Sequence, residues 1–349
     1  MRKDSKTARR RGDRDLLLLA VGLLALAAFA AGCGSNNSGD HGSASDSSSG
    51  GPKLDVVGFS TPESVYEELE PTFRETLFGK AVSFSNSFGA SGDQSRAVAA
   101  GQPASVVHFA QAGDMERLVE EGEIVSKDWN KQPFGGMAVY SVVAISVRKG
   151  NPKGVHTLKD VLEKDVDVVT PNPSSSGAAR WNIMAVYGTL INEGRSPDQA
   201  LTGVKALLEK TVAQPGSARD ALAAFTQGQG DVLLGYENEA IKATEEDEDL
   251  EYVVPPSTIW VETPIATTKD APEPEAKRFL QFLWSGSAQE VWAENGYRSV
   301  YVRLRDSKKF PIPKDLFKIS QFGGWKQVNE KFFDQRTGSV AKMETELGG

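Results

Sequence analysis

The chain has 349 residues, more than a typical single core holds, and with 39% hydrophobic and 25% charged residues its composition is that of a globular protein of two lobes. A formal charge of −8 and a pI near 5.2, with no basic cluster beyond the first residues, exclude an ordinary nucleic-acid partner. One cysteine and three scattered histidines exclude an internal disulfide and give no metal-ligand spacing.

Residues 1–32 begin basic and polar, MRKDSKTARRRGDR, and continue into an apolar run, LLLLAVGLLALAAFAAG, that stops at Cys33. This is the layout of a signal peptide. Small residues precede Cys33, and residues 33–53 that follow are a Gly/Ser/Asn tract with the character of a flexible tether. The order resembles a bacterial lipoprotein precursor, which implies a lipid on Cys33 and a place on the outer face of the cell membrane. Ala30 stands where that pattern usually has leucine. Cleavage before Cys33 removes seven basic and three acidic residues, leaving the exported chain at −12.

From Leu54 short β-rich runs alternate with helical patterns, the signature of βα units. LDVVGFS, AVSFSNSF and ASVVHFA read as strands; ESVYEELEPTFRETL, interrupted or restarted at Pro71, SGDQSRAVAAG and DMERLVEEG read as helices. AVYSVVAISVRKGNP is a longer apolar strand leaving this unit. After it TLKDVLEK, DVDVVTPNP, SSGAARWNIMAVYGTLINEG, QALTGVKALLEK, SARDALAAFTQGQG and DVLLGY continue the alternation as a second lobe. IWVETPIATT carries the chain back, and EPEAKRFLQFLWSG and SAQEVWAENG pack on the first lobe. The expected division is residues 54–141 with 258–349 in lobe 1 and 142–257 in lobe 2, joined by a hinge of two crossings. The acidic run EEDEDLE after Ala243 reads as a solvated loop.

Four places share a local grammar in which a strand ends, small or hydroxylated residues follow and a helix begins. They surround Ser91, Ser176, Ser217 and Tyr236. Each leaves backbone N–H groups unpaired at a helix start, where an anion is favoured, at the strand ends where open α/β sheets bind ligands. A single such site is ordinarily an N-cap; four of them over two lobes point to a shared cleft.

TPNPSSSGAARWN, DVLLGYENEA, RKGNPK, SGDQSRAV and FGGW strongly resemble the sulfate-binding proteins of bacterial ABC importers, over about Leu54 to Phe333. The resemblance implies an α/β fold of the two-lobed periplasmic-binding-protein kind (type II), with one mixed, mostly parallel sheet per lobe. It also implies sulfate or thiosulfate held by backbone N–H groups, a serine hydroxyl and an indole, with no cofactor, a membrane permease as partner and a monomeric state. The matching positions are Ser91, Ser176, Gly177, Ala178 and Ala218, and Tyr236 falls at the indole position. Ala178 stands where glycine is common, which keeps the backbone donor. Thr61 stands where the family is acidic and either supports the Ser91 loop or starts a helix before Pro62. Asp93 replaces a lysine. As an early helical acid it suits the dipole; facing the cleft it would accept the proton of hydrogen phosphate and repel sulfate. Arg180 and Arg219 either pair across the cleft or are solvated.

Molybdate, tungstate and phosphate are the alternatives within the binding class, kept open by Tyr236 and Asp93. A serine hydrolase using Ser175 or Ser176 would need a histidine in reach; His41 lies in the tether, His108 in a strand and His156 in a loop, and no G-x-S-x-G elbow exists. A structural lipoprotein would need no convergent helix starts. Trp181, Trp260, Trp284, Trp292 and Trp325 lie in apolar patterns and read as core, as does His108.

Overall fold

The computed structural model describes residues 51–246 and 249–348, so the signal segment, Cys33 and most of the tether lie outside the described residues. The first half alternates β1 (Lys53–Phe59), α1 (Glu63–Glu75), β2 (Ser83–Gly89), α2 (Ser91–Ala99), β3 (Val106–His108) and α3 (Ala112–Glu120). β1 lies between β2 and β3 and runs parallel to both. Pro71 does not interrupt α1 as expected: it sits on the solvent side, while Val65, Tyr66, Leu69 and Phe73 keep the opposite stripe buried. One lost hydrogen bond on the wet side is outweighed by that packing.

β4 (Met137–Arg148) then leads into the second half: α4 (Leu158–Glu163), β5 (Val168–Val169), α5 (Gly177–Asn192), α6 (Pro197–Glu209), β6 (Thr211–Ala213), α7 (Ala218–Thr226), β7 (Val232–Tyr236), α8 (Glu237–Glu245) and β8 (Leu250–Val253). β5 is parallel to β6 and β7, while β7 and β8 run antiparallel to β4. β9 (Ser257–Thr267) returns antiparallel to β4 and reaches β3 at its far end. At twelve and eleven residues these two strands are long enough to pair in both halves. The expected two sheets are therefore one mixed ladder of order β2-β1-β3-β9-β4-β7-β5-β6.

α9 (Glu275–Leu283) and α10 (Gly286–Glu294) follow β9 and pack on the first half, where Phe279 and Trp292 share a buried cluster with Tyr66 and Phe73. The chain then departs from the expected assignment of everything after residue 258 to lobe 1. β10 (Asp315–Phe317) pairs with the start of β9, and α11 (Gly324–Val328) and α12 (Ser339–Leu347) follow. Phe317, Trp325, Phe332 and Val340 are buried with Trp181, Tyr187 and Leu207 of the second half. The cause lies in α5, which buries 13 of its 16 residues and so needs cover on every side. Gly188 admits Phe317 at close range, since a Cβ there would stand 2.2 Å from its ring.

Candidate functional site

Strand ends and helix starts bring the singled-out residues together in two groups: the turns of Ser91 and Gly177 touch each other, and Ala218 and Tyr236 line one small cavity. Ser91 opens α2 and is buried; its Oγ accepts from the Ala110 N–H at 2.9 Å and donates to Asp114 Oδ2 at 2.7 Å. Asp114 is itself buried and takes Arg117 Nη1 at 3.2 Å on its other oxygen. The Ser91 hydroxyl is thus committed within the first half, and what it leaves for a ligand is the first-turn N–H of α2.

Ser176 precedes α5 and is buried, but its side chain does not cap the helix. Gly177 and Ala178 supply the unpaired N–H groups of the first turn. That turn touches the first half directly. A Cβ on Gly177 would lie 2.8 Å from Ala110 Cβ and 3.5 Å from Ser91 Cβ. The Gly92 N–H donates to the Ser175 carbonyl at 2.9 Å, and Trp181 Nε1 donates to the Ala110 carbonyl at 2.7 Å. Ser217, by contrast, is a plain N-cap, accepting from the Asp220 N–H at 3.2 Å and leaving Ala218, buried, as the first donor of α7.

Tyr236 ends β7 and leads into α8. Its ring is buried edge-on to Phe59, and its hydroxyl is buried without a hydrogen-bond partner among the described residues. It lines a small enclosed cavity with Ala218 and Glu239. Burial, with Glu239, Tyr297 and Asp114 nearby, holds the phenol well above its usual pKa, so it stays protonated and able to donate. Burial likewise raises Glu239 to about 8, against the opposing pull of Arg219. At neutral pH Tyr236 and Glu239 therefore add little negative charge to the site.

Two of the remaining positions resolve clearly. Asp93 is exposed and paired with Arg96 of the same helix, so it faces water and not the cleft. Arg219 bonds Glu63 at the start of α1 and donates from Nη2 to the Thr61 carbonyl at 3.3 Å, joining α7 to the first half. Arg180 stays within the second half. It donates to the Pro173 carbonyl at 2.9 Å and to Asn329 Oδ1 at 3.0 Å, with its guanidinium 5.1 Å from the Phe333 ring. Thr61 is buried, with its hydroxyl 2.8 Å from the Tyr297 hydroxyl.

Asp114, Tyr297 and Glu239 went unmarked in the sequence. An acid in the first turn of α3 and an aromatic after a turn glycine are ordinary in their local settings, and Glu239 lies within a quoted motif without a role of its own. The tryptophans and His108 are core, as expected: His108 is enclosed by Tyr66 and Thr263, each 3.1 Å from a ring nitrogen, and burial lowers its pKa to about 3. Among the described residues no group of three or more His, Cys, Asp or Glu could hold a metal ion, and no helix is long and apolar enough to cross a membrane.

Residues 54–298 match the family model described as bacterial extracellular solute-binding protein. The chain is 33% identical over 316 residues to the sulfate-binding protein of Synechococcus elongatus, covering 87% of this chain and 89% of the relative. It is 31% identical over 296 residues to the thiosulfate-binding protein of Pseudomonas aeruginosa, covering 79% and 88%. Among solved structures, the sulfate-binding protein SubI from Mycobacterium tuberculosis H37Rv superposes with a TM-score of 0.77 at 37% identity, over 81% of this chain and all of that one. A periplasmic thiamin binding protein, at 19% identity and a TM-score of 0.65, shares the fold.

Proposed function

Since the chain belongs to the bacterial extracellular solute-binding proteins and is similar over most of its length to relatives named for sulfate and thiosulfate, we propose that it captures sulfate or thiosulfate between its halves and delivers it to the permease of an ABC importer. The observation that carries the reading is the buried Tyr236 hydroxyl, which has no partner among the described residues. Leaving such a group unsatisfied costs about 1–3 kcal/mol, which an anion oxygen recovers.

The donor set is the first-turn N–H groups of Ser91, Gly177, Ala178 and Ala218, with the hydroxyls of Ser176 and Tyr236. Every member donates, which suits an ion that carries no proton. Hydrogen phosphate would bring an O–H in need of an acceptor, and each oxygen of the nearby Asp114 carboxylate already accepts a bond, from Ser91 and Arg117. Asp93 faces water and lends phosphate no support. Positive side chains act at the rim, where Arg219 holds the halves together. The protein acts by binding alone, as a monomer held to the outer face of the membrane by a lipid on Cys33.

Isothermal titration with sulfate, thiosulfate, molybdate and phosphate at fixed pH and salt tests the reading. Saturable sulfate or thiosulfate binding is expected, weakened by about tenfold or more in Ser176→Ala and Tyr236→Phe through loss of a hydrogen bond to a charged group. Tight phosphate binding with silent sulfate would replace the ligand, and silence toward all four would remove the function.

A further inference from the structure

A second pocket lies on the strands that join the halves, away from the cleft. Tyr140 of β4 and Trp260 of β9 form its floor, their ring centroids 5.0 Å apart and tilted by 38°. Phe310 and Leu316 wall it, and it encloses a cavity of about 420 Å³. It shares no lining residue with the cavities of the cleft.

Three cations face it, and they are not equivalent. Arg298 is held by Glu237 in a buried pair of bonds at 2.6 and 2.8 Å, and Lys318 by Glu262 at 3.0 Å. Arg305 has only carbonyl acceptors, Ser299 at 2.6 Å and Val300 at 3.4 Å, so its charge lacks a counterion among the described residues. Its guanidinium stands 5.3 Å from the Tyr140 centroid and 5.2 Å from that of Trp260. At the mouth Val302 and Ile312 are 74% and 78% exposed, an apolar rim that none of the described residues covers. A cavity of this size with apolar walls and one directing polar group has the form of a small-molecule site.

We infer that this pocket binds a small planar aromatic monoanion, its ring against the half-buried Tyr140 and between the apolar rim residues, and its carboxylate on Arg305. The ring replaces water on the aromatic floor, and the carboxylate supplies the counterion that Arg305 lacks. Aliphatic anions would lose the floor, and neutral aromatics would lose the arginine.

The test is titration of the sulfate-saturated protein with 2-naphthoate, followed by tryptophan fluorescence and calorimetry, with 2-naphthamide as the neutral control. Saturable one-to-one binding of naphthoate is expected, at least about tenfold tighter than naphthamide, as one charge-assisted bond provides. Arg305→Gln should weaken it by about the same factor. Ile312→Asp, at an exposed position where folding is indifferent, should weaken it by placing a like charge at the mouth. Absence of saturable binding, equal binding of the amide, or naphthoate affinity unchanged in both variants would overturn the assignment.

Discussion

At position 177 one hydrogen in place of a methyl decides whether two surfaces can meet. A methyl there would stand 2.8 Å from Ala110 Cβ, inside any real contact. Gly177→Ala should therefore hold the two surfaces apart and weaken anion affinity by about tenfold or more, a 1.4 kcal/mol loss of closure checked by calorimetry. Titratable residues set a second expectation. Glu239 holds its proton to about 8 in the folded chain, above the ordinary carboxyl value, so the folded state binds more protons and stability falls as pH rises from about 4.5 to 8. Glu70, raised to about 7 by burial, adds to the same slope. His108 works at the other end: its lowered value means the unfolded chain takes up the proton first, so stability falls as pH drops from 6.5 toward 3. Melting temperatures across pH 5 to 8 should show that fall reduced in Glu239→Gln; an unchanged slope would contradict a protonated Glu239.

Among the elements, α5 links site to scaffold. Its first turn offers donors, and its length is buried all round by the sheet, α6 and the returning C-terminal segment. Phe317→Ala, which empties the space against Gly188, should cost about 3–5 kcal/mol and lower the urea midpoint without changing the residues that touch the ligand. Much of this organisation was legible beforehand. The alternation of apolar runs and amphipathic stretches marked β1 to β3, the long β4 and the returning β9, and the small residues before α2, α5 and α7 marked where those helices start. The packing of the C-terminal segment on the second half was not legible, because Phe317, Trp325 and Phe332 say that they will be buried and do not say in which core. The same limit hid Asp114. Its partner Ser91 is 23 residues away, and only the fold of α3 against α2 makes them one unit.

For the whole molecule, the contacts between halves differ in weight. Arg219 and Glu63 are 41% and 42% exposed in their side chains, so Arg219→Ala should change stability by about 1 kcal/mol or less. Arg298 and Glu237 are enclosed at 2% and 0%, and removing either leaves a buried charge alone, so Arg298→Ala should cost about 3–5 kcal/mol in a denaturation series. Neither ion pair touches the proposed ligand, so these differences fall on how firmly the halves are joined. The bond from the Trp181 indole to the Ala110 carbonyl belongs to the same set, but it has a property the ion pairs lack. Its proton is sealed from water while α5 meets the first half and released when they part. The rate at which that single proton exchanges with solvent therefore counts openings, and the molecule carries within it a clock for how long any cargo stays aboard.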